Sequence, residues 1–193
     1  SMMIFGQGAI RCHPYVLKEM KAAYANDAAA FDQAFSAHGH FILTNVFRSF
    51  WLGLTNGAFS SAPKGGVTAT YYKQMNRIAA NFALLADMSM FSLGGSLKFK
   101  EKISARLGDI LSNLYICSAV LKRFEKEGAQ KADEPLMQYA AEQALYDAQT
   151  AIDGVLKNLP ARPLAWILRL LILPTGRRIA PPSDKLGSKV AAA

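Results

Sequence analysis

Apolar residues recur at helical spacing along almost the whole chain, and no segment alternates with the period of two that a half-buried strand requires. The clearest run covers residues 103–124, where Ile103, Leu107, Ile110, Leu114, Cys117, Leu121 and Phe124 follow steps of four and three. Such a stripe is the core face of one helix, and Lys102, Arg106, Asp109, Asn113 and Arg123 fall elsewhere on its surface. Gly128 stands where a helix-terminating C′ residue belongs. A second helix is expected over 68–93, with Tyr71, Met75, Ile78, Phe82 and Leu85 on one stripe. Its second half is apolar nearly all round, which makes it central, and Gly94-Gly95 ends it.

Residues 134–159 form a third helix, carrying Met137, Ala141, Ala144, Ala148, Ile152, Val155 and Leu159 at the same spacing. The small residues suit close approach to a neighbour; Asp133 and Pro135 suit the first turn, and Pro160 closes the helix. The fourth, about 27–54, is less regular. Phe31, Phe35, Ile42, Phe50 and Leu54 are apolar, and Gly39 is expected to kink it. A short helix around 14–23 precedes it, and Ser60-Ser61-Ala62-Pro63-Lys64-Gly65-Gly66 is a linker. The fold class is therefore all-α: an antiparallel bundle of about four long helices, with a short N-terminal helix and a short amphipathic C-terminal helix. The expected divisions are 1–25, a bundle over 26–160 and a basic tail over 161–193, with both ends reading as cuts through a longer protein.

Composition agrees with a packed domain: 51% of residues are hydrophobic and only 19% charged, which excludes a disordered chain. The net charge of +8 favours an acidic partner. Nucleic acid is not expected, because no basic stripe interleaves with aromatics on one face. Cys12 and Cys117 cannot build a disulfide framework, so a reducing compartment is the default. The first residues lack a basic n-region and a small-residue cleavage site. The apolar run 164–173 is interrupted by Arg169 and too short to span a bilayer.

Candidate chemistry is sparse. Gly6-Gln7-Gly8 lacks the third glycine of a dinucleotide fingerprint, since position 11 is Arg11, and no strand precedes it. Cys12-His13 and His38-Gly39-His40 match no zinc spacing, so no metal is expected. Cys117, on the core stripe, reads as a small buried hydrophobe. Glu101 and Asp109 flank Lys102 and Arg106 as surface pairs. Asp87 is singular, an acid in an otherwise apolar helix, and is expected to bond to a helix terminus or an arginine. None of these qualifies as a catalytic residue.

The tail carries more. Arg162-Pro163-Leu164-Ala165-Trp166-Ile167-Leu168-Arg169 continues through Leu173 to Arg177-Arg178. Over 162–189 six basic residues oppose the single Asp184, a local net charge of +5. Interfacial helices combine an apolar face with such basic groups, making Arg162, Trp166, Arg169, Arg177 and Arg178 membrane-interface candidates. The competing reading has Trp166, Ile167, Leu170 and Leu171 covering the bundle.

Several ordered stretches resemble bacterial FadE-type acyl-CoA dehydrogenases. They are Ile4-Phe5-Gly6-Gln7-Gly8-Ala9-Ile10-Arg11-Cys12-His13-Pro14, Arg48-Ser49-Phe50-Trp51-Leu52-Gly53-Leu54-Thr55 and Leu93-Gly94-Gly95-Ser96-Leu97-Lys98. Ile103-Ser104-Ala105-Arg106-Leu107-Gly108-Asp109 and Pro174-Thr175-Gly176-Arg177 with Pro182-Ser183-Asp184-Lys185-Leu186 continue the likeness. The resemblance implies an FAD-dependent enzyme that oxidises fatty acyl-CoA to trans-2-enoyl-CoA, the first step of β-oxidation. Its base is a glutamate in a Glu-Gly motif that lies before Ser1, and its flavin-binding sheet domain also lies upstream, so no catalytic or FAD-binding residue is assigned here. By the same resemblance the partners are the protein's own catalytic domain, a fatty acyl-CoA and an anionic membrane surface, with 1–25 finishing the catalytic helical domain. An uncovered docking patch would favour a homodimer. The expected location is cytoplasmic, peripheral on the inner face of the plasma membrane. The rival expectation is a freestanding helical module that catalyses nothing.

The tail reading predicts salt-sensitive sedimentation with anionic vesicles, lost on truncation after Pro160. Equal sedimentation of the intact and truncated chains contradicts it.

Overall fold

The structure, a computed structural model, describes residues 13–63 and 65–192. Those residues form seven α-helices: α1 (Val16–Tyr24), α2 (Ala28–Leu54), α3 (Ala69–Leu93), α4 (Glu101–Lys126), α5 (Glu134–Asn158), α6 (Arg162–Ile172) and α7 (Asp184–Ala191). A 3-10 turn, Gly94–Phe99, joins α3 to α4. The all-α expectation holds, and α7 was not foreseen as a helix. Its start is set by Ser183, whose hydroxyl accepts the Leu186 amide.

Side-chain pairs fix the topology. Thr68 and Tyr72, early in α3, donate to Glu125 late in α4, while Ser104 early in α4 donates to the Leu97 carbonyl. Cys117 of α4 lies against Ala141 of α5. His38 of α2 meets Asp87 of α3, and Arg77 meets Asn56 just past α2. Helices α2 to α5 thus run antiparallel in succession.

The core is built on α4 and α5. All seven stripe residues of α4 and all seven of α5 are buried, as the spacing predicts. The alanines at 141, 144 and 148 let the helices close. So does Gly154, where a Cβ would lie 2.9 Å from the Arg106 side chain. Gly128, at φ +92°, ends α4 with the Ala129 amide bonding back to the Phe124 carbonyl.

α2 departs from expectation. Asp27 caps it by accepting the Ala30 amide at 3.0 Å, and Gly39 does not interrupt its 27 residues. The residues it buries are Ala34, Asn45, Ser49, Leu52 and Gly53, with His38, Ile42 and Val46 partly buried. Its apolar residues Phe35, Leu43, Phe47, Phe50, Trp51 and Leu54 are exposed. Helix α3 buries the polar residues Arg77, Asn81, Asp87 and Ser89 along with Tyr72, Ile78, Ala80, Leu84, Leu85 and Ala86. Residues 69–99 are long and apolar enough to cross a membrane by length and composition alone. Helix α3 packs against α2, α4 and α5 and carries these buried polar groups, so it is a core helix.

Two polar residues one turn apart on α5 attach the remaining elements. Gln149, fully buried, accepts from the Arg77 guanidinium and from the Arg178 and Ile179 amides, and donates to the Ile179 carbonyl at 2.9 Å. Asp153 binds Lys157 at 2.7 Å and Arg169 of α6 at 2.7 Å, with Arg177 at 3.9 Å. Burial opposes ionisation of Asp153, but the hydrogen bonds and charges of Lys157 and Arg169 outweigh it and hold its carboxyl below the ordinary value.

That balance sets a sign. A depressed carboxyl contributes stability above its unfolded value, and the contribution is lost as pH falls through the folded value. Asp153→Asn is expected to cost roughly 1–2 kcal/mol at neutral pH, discounted because both cations are partly solvated. In thermal melts the gap to wild type should narrow below about pH 4. A gap that is constant down to pH 2 contradicts the assignment.

Candidate functional site

Three elements converge on one buried carboxylate. Asp87 projects from α3 with its side chain 1% exposed, and its Oδ1 lies 2.8 Å from His13 Nε2. The His13 ring stands just before α1, where its Nδ1 accepts the amides of Tyr15 at 3.2 Å and Val16 at 3.1 Å. A ring nitrogen that accepts carries no proton, so His13 is the neutral Nε2–H tautomer and donates to Asp87.

His38 of α2 arrives from the other side. Its Nδ1 lies 2.8 Å from Glu19 Oε1 on α1; a carboxylate only accepts, so Nδ1–H donates. That leaves His38 Nε2 facing Asp87 Oδ1 at 3.7 Å, beyond a hydrogen bond. Both His38 Nε2 and Asp87 Oδ2 are buried without a partner among the described residues. Aromatic rings wall the site: Tyr15 stacks on His38 with centroids 5.7 Å apart, and Phe41 meets His13 edge-on at 5.9 Å.

Of Cys12-His13 and His38-Gly39-His40, set aside as a metal site on spacing, His13 and His38 do meet, and Asp87, considered apart from them, is the residue they share. His40 is exposed, and Cys12 lies outside the described residues, as do Gly6-Gln7-Gly8. Asp87, expected to bond to a helix terminus or an arginine, has imidazoles as its partners. The available signal was register. In an antiparallel α2–α3 pair, a histidine sixteen residues before the α2 end and an acid near the α3 end come level.

The other candidates are structural. Cys117 is fully buried, and burial pushes its thiol up to about 12, so it is an inert apolar filler. Glu101 is exposed and lines an open hollow of about 380 Å³ with Phe99, Lys100, Lys102, Arg106 and Asn158. Asp109 borders a second hollow beside Asp147 and Thr150. Arg77 donates to Asn56 and Gln149 and pairs with no carboxylate among the described residues. Burial first, and Arg178 second, lower it to about 10.

The tail candidates divide. Arg162 donates to the Lys157 and Leu156 carbonyls at 2.8 and 3.4 Å and so closes the end of α5. Arg169 is held by Asp153, and Arg177 donates to Thr150 at 2.7 Å while lying 5.5 Å over the Tyr146 ring. These three arginines have internal partners that their sequence neighbours could not reveal. Arg178 is exposed. Helix α6 buries Ala165, Leu168 and Ile172 and turns Trp166, Ile167 and Leu170 outward.

None of these hollows fits a flavin dinucleotide. The largest among those described is shallow, open and lined by charged side chains, with no closed slot for a flat ring system.

The family model for the bacterial-type C-terminal domain of acyl-CoA dehydrogenase matches residues 10–193. The chain belongs to this family, as the ordered motifs implied. No solved structure matches it.

Proposed function

We propose that this C-terminal domain is the accessory, non-catalytic helical part of an FAD-dependent enzyme that oxidises fatty acyl-CoA to trans-2-enoyl-CoA. In that reaction a glutamate takes the α-proton, the β-hydrogen leaves as hydride to the flavin, and the Cα–Cβ double bond forms. The glutamate and the flavin site belong to the catalytic domain, and this chain's part is to dock on it.

The outer face of α2 carries this reading. Leu43, Phe47, Phe50 and Leu54 follow steps of four, three and four, so they form one stripe, and Trp51 beside it lies 6.0 Å from the Phe59 ring. Phe47 is 73% exposed and Phe59 75%. Contiguous apolar surface of this kind marks an interface. A membrane contact is supported separately by the outward Trp166, Ile167 and Leu170 on α6, with the exposed Arg178 as a cationic group for anionic headgroups.

The docking reading is tested by charge substitution on the stripe. In the full-length enzyme Phe47→Asp with Trp51→Asp should lower specific activity at least about tenfold and split thermal unfolding into two transitions. Burying those charges at an interface would cost several kcal/mol. In this chain alone the same pair should leave the melting temperature within a few degrees, because both side chains already face solvent. A full-length double variant that melts and turns over like wild type contradicts docking through α2.

A further inference from the structure

We propose that His38 and Asp87 are the inner ligands of a divalent transition-metal site, with Glu19 and His13 as the outer partners that orient them. The inner atoms are His38 Nε2 and the Asp87 carboxylate, including Oδ2. Both are buried, and neither His38 Nε2 nor Asp87 Oδ2 has a hydrogen-bond partner among the described residues. Each is aimed by a second group. Glu19 holds the His38 Nδ1–H at 2.8 Å, the carboxylate–histidine arrangement that fixes a ligand's ring and presents its other nitrogen. His13 holds Asp87 Oδ1 at 2.8 Å and leaves the second oxygen for coordination.

Charge points the same way. Two carboxylates, Asp87 and Glu19, meet a neutral His13 donor, and no lysine or arginine pairs with either acid among the described residues. A 2+ ion neutralises them, and the rings of Tyr15 and Phe41 keep the site of low polarity, where that attraction is strong. Distance is compatible: two ligands about 2.0–2.1 Å from a tetrahedral ion stand roughly 3.3 Å apart. His38 Nε2 stands 3.7 Å from Asp87 Oδ1, within a few tenths of an ångström of that span, which brings the carboxylate as a whole within reach of an ion on His38. An imidazole with a carboxylate selects zinc or its neighbours over calcium or magnesium.

His13 lies close enough to complete a three-residue group, with all ligand atoms within 4.8 Å. Its hydrogen bonds exclude it from the inner shell. Nδ1 accepts two backbone amides, so coordination through Nε2 would require an imidazolate or the loss of both bonds at the start of α1. The remaining coordination positions therefore belong to water or to an exogenous ligand.

The probe is Zn2+ added to the 193-residue chain after dialysis against a chelator, followed by competition with a chromophoric chelator and by thermal melting. The expected result is one site per chain and a melting temperature that rises with zinc. His38→Ala and Asp87→Asn should abolish both effects, with His38→Gln as the milder variant if either fails to give a native far-UV spectrum. Glu19→Gln should weaken binding about 10–100-fold, as loss of an outer-shell partner does. His40→Ala, an exposed control, should bind as wild type does. No binding by the wild-type chain, or binding unchanged in His38→Ala and His38→Gln, overturns the proposal and leaves the group as an internal polar contact.

Discussion

The side that α2 turns to the bundle mixes the polar His38, Asn45 and Ser49 with Ala34, Ile42, Val46 and Leu52, and much else follows from those buried polar groups. Asp87 of α3 meets His38 of α2, and Arg77 of α3 meets Asn56 just past the α2 end, while α2 buries Asn45 and Ser49 and keeps Phe35, Phe47, Phe50 and Trp51 exposed. Burying polar groups costs free energy unless they find partners, so such an interface is retained only where it specifies something. Around it four titratable side chains come together: His13 before α1, Glu19 of α1, His38 of α2 and Asp87 of α3. It also leaves an apolar ridge exposed on the outside of α2, the face proposed above for docking. The candidate metal site and the docking face are thus two sides of one helix.

The rest of the molecule is fastened by α5. Gln149 and Asp153 sit one turn apart and take hold of α3, α6 and the strap through 177–179. The strap also passes α2 at Gly53, where a Cβ would lie 2.8 Å from Pro174 Cδ and 3.1 Å from the Ile172 carbonyl. The segment that reads from its sequence as a basic amphipathic tail is built into the fold by these contacts. Three of its arginines neutralise or cap groups of α5, and Trp166, Ile167, Leu170 and Arg178 are left exposed.

Legibility in the sequence followed the amount of apolar periodicity. On α4 and α5 every stripe position is buried, and Gly128 ends α4 as its place in the sequence implied. Those helices bury their apolar faces inside this chain, so pattern and packing coincide. On α2 the pattern is equally helical, but Phe35, Leu43, Phe47, Phe50, Trp51 and Leu54 are exposed, so pattern and packing part company there. Periodicity identifies the helix without naming what its apolar face meets. The long-range polar pairs were illegible for a different reason: Arg169 with Asp153, Arg77 with Gln149 and His13 with Asp87 are 16, 72 and 74 positions apart. Their meeting depends on register, which no local pattern encodes. Asp87 was visible as an acid out of place, and only the α2–α3 alignment supplies its neighbours.

The central claim is that this domain supports an acyl-CoA dehydrogenase without performing its chemistry. It is tested most directly by FAD-dependent acyl-CoA oxidation, comparing this chain with a version of the protein extended upstream through the Glu-Gly segment and the flavin domain. The account predicts turnover in the longer protein and none in the 193-residue chain, with both folded by circular dichroism. Turnover by the short chain would contradict it and would direct attention to Asp87 and its histidines as the reacting groups.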